Sequence, residues 1–167
     1  ADKRQGLVCH ADETEKVNTL INHIQAYLYQ KREWNPKWEN AFTPALCNRI
    51  DRNTGGIVIA AKDAETLRIL NEKIRDRELD KRYLCVTVGR PKQPEGRVEC
   101  FLLKDEQKKQ VSVYHRPVPG GKTAVTDYRV LDTRGELSLL EIGLETGRTH
   151  QIRATMADLG CPLLGDG

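Results

Sequence analysis

The chain has 167 residues, 38% of them hydrophobic and 31% charged, with a formal net charge of +3. That is enough for one sizeable core and too little for a second complete domain, and no stretch reaches the length of a membrane span. Five cysteines, Cys9, Cys47, Cys85, Cys100 and Cys161, lie far apart with no Cys-x-x-Cys spacing and no paired histidines, which argues against a zinc site and, with no apolar leader or lipidation pattern, for reduced thiols in a cytosolic protein. Val17, Leu20, Ile21, Ile24 and Leu28 recur at helical spacing and predict an amphipathic helix over about residues 15–31. Residues 33–43 read as a loop, in which Trp34 and Trp38 are assigned to packing over the helix end ahead of a ligand-stacking role.

Residues 57–61 are apolar throughout and fit a strand buried on both faces. Asp63 has the chemistry of an N-cap, and Leu67, Leu70 and Ile74 line one face of the helix behind it. Segments 83–89, 97–103, 110–115, 124–131 and 137–144 read as strands separated by turn-rich or charged joints. Cys85 and Cys100 fall inside two of these patterns and are assigned to the core. Residues 150–159 predict a short helix, closed by Gly160 as a left-handed C-terminal residue. The sum is an α+β fold, a mainly antiparallel or mixed sheet with flanking helices, uninterrupted by repeats or low-complexity linkers.

Charge is unevenly spread: residues 41–130 hold 18 Lys or Arg against 12 Asp or Glu, while residues 131–167 hold 3 against 6. A basic middle suits a polyanionic partner, although runs such as 75–82 are usually solvated faces. Within that stretch, Cys47-Asn48-Arg49-Ile50-Asp51-Arg52-Asn53-Thr54-Gly55-Gly56 places one carboxylate between two arginines at a glycine pair. The arginines are expected to hold Asp51 ionised, and the glycines let the backbone turn sharply enough to present it at a surface, as a carboxylate nucleophile requires. A loop aspartate in a surface salt bridge would suffice for an isolated Arg-x-Asp-Arg. The rest of the chain argues against that simpler reading.

The Asp51 segment resembles the His-Arg-Leu-Asp-Arg-x-Thr-Ser-Gly signature of the RluA-like pseudouridine synthases. Lys81-Arg82-Tyr83-Leu84 is similar to their Lys-x-Tyr strand motif, and Thr146-Gly147-Arg148-Thr149-His150-Gln151-Ile152-Arg153 to their Thr-Gly-Arg-x-His-Gln-hydrophobic-Arg motif. Lys3-Arg4-Gln5-Gly6-Leu7-Val8-Cys9-His10 resembles the opening motif, with Arg4 where proline is usual, and Cys161-Pro162-Leu163-Leu164-Gly165-Asp166 resembles the stretch after the third motif. Asn48 stands where the family usually has His, and Gly55 where it has Ser; these departures bear on substrate contacts more than on covalent chemistry.

The resemblance implies an isomerase, an intramolecular transferase of the pseudouridine synthase catalytic-domain type, with no cofactor and no metal. Residues 1–167 would be a single catalytic domain, apparently incomplete at both ends. Asp51 would be the catalytic carboxylate, attacking either the sugar carbon or the uracil ring, and Arg153 would pair with it to oppose desolvation. Tyr83 would stack on the target base and is the candidate for removing the proton from the recombined carbon, although a phenol of ordinary acidity needs help to act as a base. Arg148 would contact phosphate or brace its motif, His150 would hold the loop by hydrogen bonds, and His150 and Gln151 join the substrate-binding set. Arg49, Arg52, Lys62, Lys81 and Arg82 are candidates for the phosphate contacts that offset extrusion of the uridine from its stack. The partner would be RNA, large-subunit ribosomal RNA ahead of transfer RNA, bound by a cytoplasmic monomer without membrane contact. The competing readings are a non-catalytic RNA-binding or ribosome-assembly module on the same fold, and a cofactor-free hydrolase that lacks a second well-placed carboxylate.

Overall fold

A computed structural model describes residues 1–38, 40–105, 107 and 110–166, so Glu39 of the expected loop and Lys108 and Lys109 of the basic stretch lie outside the described residues. The chain forms two compact units, Ala1–Glu78 and Leu79–Gly167. Among the described residues no helix is long and apolar enough to cross a membrane.

The first unit carries β1 (Asp2–Lys3), α1 (Leu20–Gln30), β2 (Ala45–Leu46), β3 (Gly56–Ile57), β4 (Ala60–Ala61) and α2 (Ala64–Arg75). β1 pairs antiparallel with β3, and β2 with β4. α1 begins at the Thr19 cap, later than its apolar spacing predicts. The cause lies in two side-chain-closed turns: Asp12 Oδ1 accepts the Thr14 and Glu15 amides, and Glu15 Oε1 accepts those of Val17 and Asn18. Amides engaged by side chains are withdrawn from a helix, and Val17 is left 78% exposed, outside the apolar stripe. Leu20 and Val58 pack with Cys9, Leu7, Ile24, Leu46 and Ile50 in the core of this unit.

The strand expected over 57–61 is broken into two. Gly56, at φ +132°, starts the turn of the chain, and the segment changes partner between Ile57 and Ala60. Val58 is fully buried, but Ile57 is 69% exposed, so burial on both faces does not hold along the segment. Asp63 caps α2 as expected, Oδ1 accepting the Thr66 amide at 2.7 Å, and Leu67, Leu70 and Ile74 share its half-buried face. Trp34 is half-buried whereas Trp38 is exposed, so packing accounts only for the first.

The second unit is a five-stranded antiparallel sheet in the order β5 (Arg82–Val88), β9 (Leu137–Leu144), β8 (Lys122–Arg134), β6 (Glu95–Asp105), β7 (Gln110–Tyr114), with α3 (Gln151–Asp158) on one face. Each expected strand is present, β6 and β8 being longer than their apolar cores because charged residues continue the ladder. Beneath α3, one row runs Tyr83, Ile142, Tyr128, Gly96 across four strands. A Cβ on Gly96 would lie 2.8 Å from the Tyr128 hydroxyl, so only glycine leaves room for that ring. Tyr128, Leu140, Ile142, Met156 and Cys161 form the main cluster, with Tyr83, Cys85 and Ile152 packed against it, and Cys100 joins Leu102 and Ala124 in a second. Burial pushes the Cys85 thiol up to about 11, consistent with a core role. α3 closes as expected: Gly160 adopts φ +78°, its amide bonds Ala157 O at 3.0 Å, and the Cys161 amide bonds Met156 O at 3.0 Å.

Candidate active site

Asp51 lies half-buried in the loop between β2 and β3, where its carbonyl accepts the Thr54 amide at 3.1 Å. The backbone on both sides is held by the opening motif. Cys9 Sγ donates to Ile50 O at 3.4 Å, and Arg52 O accepts the Gly6 amide at 2.9 Å and Lys3 Nζ at 3.0 Å. Lys3 Nζ also donates to Leu7 O at 2.6 Å and Arg4 O at 3.1 Å, so all three ammonium hydrogens are used by a side chain only 1% exposed. Burial lowers its pKa, while Cys9 and the Asp51 carboxylate act in the opposite direction. The far end of the loop is closed by Asn48, whose Oδ1 accepts the Ile59 amide at 2.8 Å. A Cβ on Gly55 would meet Gln5 Cγ and Lys3 O at 3.5 Å, ordinary contact distances, so the serine usual at this position would fit.

Two expectations about this loop change. Arg52 is directed to Asp12 Oδ2 at 2.9 Å and Thr14 Oγ1 at 2.6 Å, and Arg49 is exposed. Lys3 is electrostatically linked to Asp51, whose carboxylate raises the lysine pKa against the effect of burial; a charge count cannot distinguish a buried lysine from a solvated one. Lys3→Met keeps the stem and removes three donors from carbonyl oxygens, and should cost about 2–3 kcal/mol of stability. Chemical unfolding of the two proteins checks it; equal stabilities would show that the ammonium does not hold the loop.

In the second unit the third motif is built around Gln151. Its carboxamide is buried and fully used: Nε2 donates to Val125 O at 3.0 Å and Thr126 Oγ1 at 2.9 Å, while Oε1 accepts Thr146 Oγ1 at 2.8 Å and the Arg148 amide at 3.0 Å. An amide has two donors and two acceptor sites, so Gln151 is a clamp on β8 and not the substrate contact expected. Thr146 Oγ1 also accepts the Val125 amide at 3.0 Å. Arg148 Nε donates to Thr123 O at 2.9 Å, a bond that braces the motif. His150 occupies the N-cap position of α3 at φ 53° without a capping side-chain bond, so it marks the turn by its left-handed backbone and not by the side-chain bonds expected.

Tyr83 faces α3 from β5 and is half-buried. Lys81, two residues before it, approaches the same motif: a Cβ on Gly147 would lie 3.7 Å from its Nζ. Arg153, in the first turn of α3, is gripped at two points by Asp166, Nε to Oδ2 at 2.9 Å and Nη2 to Oδ1 at 2.5 Å. Arg82 points to the opposite face of the sheet from Tyr83, since adjacent strand residues alternate, and pairs with Glu141 at 3.4 Å. There it lines a cavity of about 400 Å³ with Asp127, Arg129 and Glu141, a groove of mixed charge on the side of the sheet away from the tyrosine. Lys62 is likewise engaged, by Glu33 at 2.5 Å. Arg52, Lys62 and Arg82 each already face a carboxylate that competes with any phosphate they bind.

A carboxylate loop pinned by a buried lysine, a strand tyrosine and a clamped Thr-Gly-Arg-x-His-Gln-x-Arg helix start coincide with one family. The chain belongs to the RNA pseudouridylate synthases, whose family profile matches residues 1–158. It is 36% identical over 171 residues to the ribosomal large subunit pseudouridine synthase D of Borreliella burgdorferi, covering 99% of this chain and 49% of that protein. It is 34% identical over 166 residues to an uncharacterized RNA pseudouridine synthase of Chloroflexus aurantiacus, again covering 99% and 49%. Among solved structures, it is similar to human RNA pseudouridylate synthase domain containing 4, with a TM-score of 0.77 and 26% identity over 99% of this chain and 62% of that one. The chain spans about half the length of the curated relatives it matches. The RluA-like resemblance and the α+β fold are both borne out.

Proposed function

We propose that this protein isomerises uridine to pseudouridine in RNA, with Asp51 as its catalytic carboxylate. The observation that carries the reading is the Asp51 loop itself: a half-buried carboxylate whose flanking carbonyls are held by Lys3, Gly6 and Cys9 is presented by a preorganised backbone. In the reaction the bond from uracil nitrogen to ribose breaks, the ring turns, a bond from ring carbon to ribose forms, the proton on that carbon leaves, and the freed nitrogen takes up a proton. Electrons are conserved and no group is added, so the step calls for no cofactor. Asp51 assists bond breaking by attack on the sugar carbon or the uracil ring. Tyr83 stacks on the base, and Arg153 supplies the guanidinium that pairs with the carboxylate and fixes its orientation. All three belong to one catalytic domain over residues 1–167.

The substrate is large-subunit ribosomal RNA, a choice supported by the name of the Borreliella relative, with transfer RNA second. The protein works as a cytoplasmic monomer. Incubation with uridine-containing RNA, followed by nucleoside analysis, separates the readings: pseudouridine supports this one, unchanged RNA supports a binding module, and free uracil or cut chains support a hydrolase.

Phosphate contacts from the basic stretch make a second expectation. RNA affinity should fall on the order of twentyfold between 50 and 200 mM salt if about three phosphates are contacted. Titrations at several salt concentrations check it, and a flat dependence would contradict residues 41–130 as a binding face.

A further inference from the structure

Asp166, the partner of Arg153, lies outside every role assigned so far. Asp166 closes the stretch after the third motif, and both of its carboxylate oxygens face one guanidinium edge, Nε and Nη2. Its side chain is 26% exposed and that of Arg153 39%. The carboxylate is placed by the backbone around it. The Asp166 amide donates to Leu163 O at 3.2 Å, Gly165 takes φ +76°, and this conformation, not lack of space, calls for glycine, since nothing lies within 4 Å of an added Cβ.

The turn is in turn bonded to the strand that carries Tyr83. The Val88 amide donates to Pro162 O at 2.8 Å, the Leu164 amide donates to Val86 O at 2.8 Å, and Thr87 bridges Leu163. Cys161 is buried in the main cluster and Leu163 packs against it. A guanidinium at the end of a long flexible stem is thus referred to the β5 backbone through one carboxylate and a four-residue turn.

We propose that Asp166 is a positioning residue for the isomerisation, fixing the direction of the Arg153 guanidinium. The inference rests on the functional reading above, in which Arg153 serves Asp51. A two-point grip on the Nε and Nη2 edge sets the plane and rotation of the guanidinium. Asp166 thereby acts through Arg153 and does not touch the substrate.

The test is single-turnover kinetics at saturating RNA with Asp166→Asn and Asp166→Glu, each also made in an Arg153→Lys background, with thermal melting and RNA affinity of all variants. Asp166→Asn should slow the chemical step about tenfold with affinity within about threefold, and Asp166→Glu should recover part of the loss by keeping the charge. In the Arg153→Lys background, where no planar fork remains to be held, Asp166→Asn should change the chemical step less than about twofold. Asp166→Asn retaining the wild-type chemical step overturns the inference, as does a full tenfold loss that persists in the Arg153→Lys background. A slowed step that tracks a lowered melting temperature, with Asp166→Glu melting as the wild type yet showing no recovery, also overturns it. Absence of isomerisation by the wild-type protein itself instead overturns the functional reading on which the inference stands.

Discussion

Asp51→Asn should abolish isomerisation, lowering turnover at least about a thousandfold, or roughly 4 kcal/mol of barrier, while RNA affinity stays within a few-fold. The amide keeps the shape of the carboxylate but lacks its charge and nucleophilicity. The loop should survive the change, because the bonds that hold it go to the carbonyls of residues 50 and 52 from Cys9, Gly6 and Lys3, and none depends on the carboxylate. One secondary effect follows from charge. Asp51 raises the pKa of buried Lys3, so its removal leaves that ammonium costlier to bury and the variant slightly less stable. RNA binding should be unchanged or a little tighter, since a negative charge near phosphates is gone. Turnover above a few per cent of wild type would remove Asp51 as the nucleophile.

Arg153→Lys should slow the chemical step about a hundredfold with little change in affinity. Lysine keeps the charge but cannot be held at two points by Asp166 and present a second edge in a fixed plane. Arg148→Lys should act differently. The Arg148 guanidinium reaches the Thr123 carbonyl through Nε, and its backbone amide is held by Gln151, so the motif stays clamped when the side chain is shortened. A loss confined to binding is expected there. Single-turnover rates at saturating RNA separate the two arginines; loss of the chemical step in Arg148→Lys with its retention in Arg153→Lys would reverse their assignment.

The sheet was legible because its strands alternate between core and solvent, and the periodicity in 83–89 and 137–144 is enough to place Tyr83 and Ile142 on one face. Segment 57–61 was not, because apolar content cannot report that the chain changes partners between Ile57 and Ala60. The start of α1 was hidden by Asp12 and Glu15, whose carboxylates take amides that helical spacing alone would give to the helix. At the site, residue types identified the motifs but not their internal division of labour. Gln151 reads as a polar residue in a functional motif, and only its four bonds reveal a clamp. The partners of Arg52 and Lys3 are hidden for the same reason: charge is visible in a sequence, whereas the carboxylate or carbonyl that absorbs it comes from 40 and 49 positions away.

Release of tritium from large-subunit ribosomal RNA labelled at carbon 5 of uridine tests the central claim most directly, because joining that carbon to ribose requires its hydrogen to leave, and neither binding nor hydrolysis releases it. Tritium should appear in water in proportion to pseudouridine formed with the wild-type protein and stay at background with Asp51→Asn. Retention of the label by RNA that the wild-type protein demonstrably binds, or equal release by the two proteins, would contradict the account.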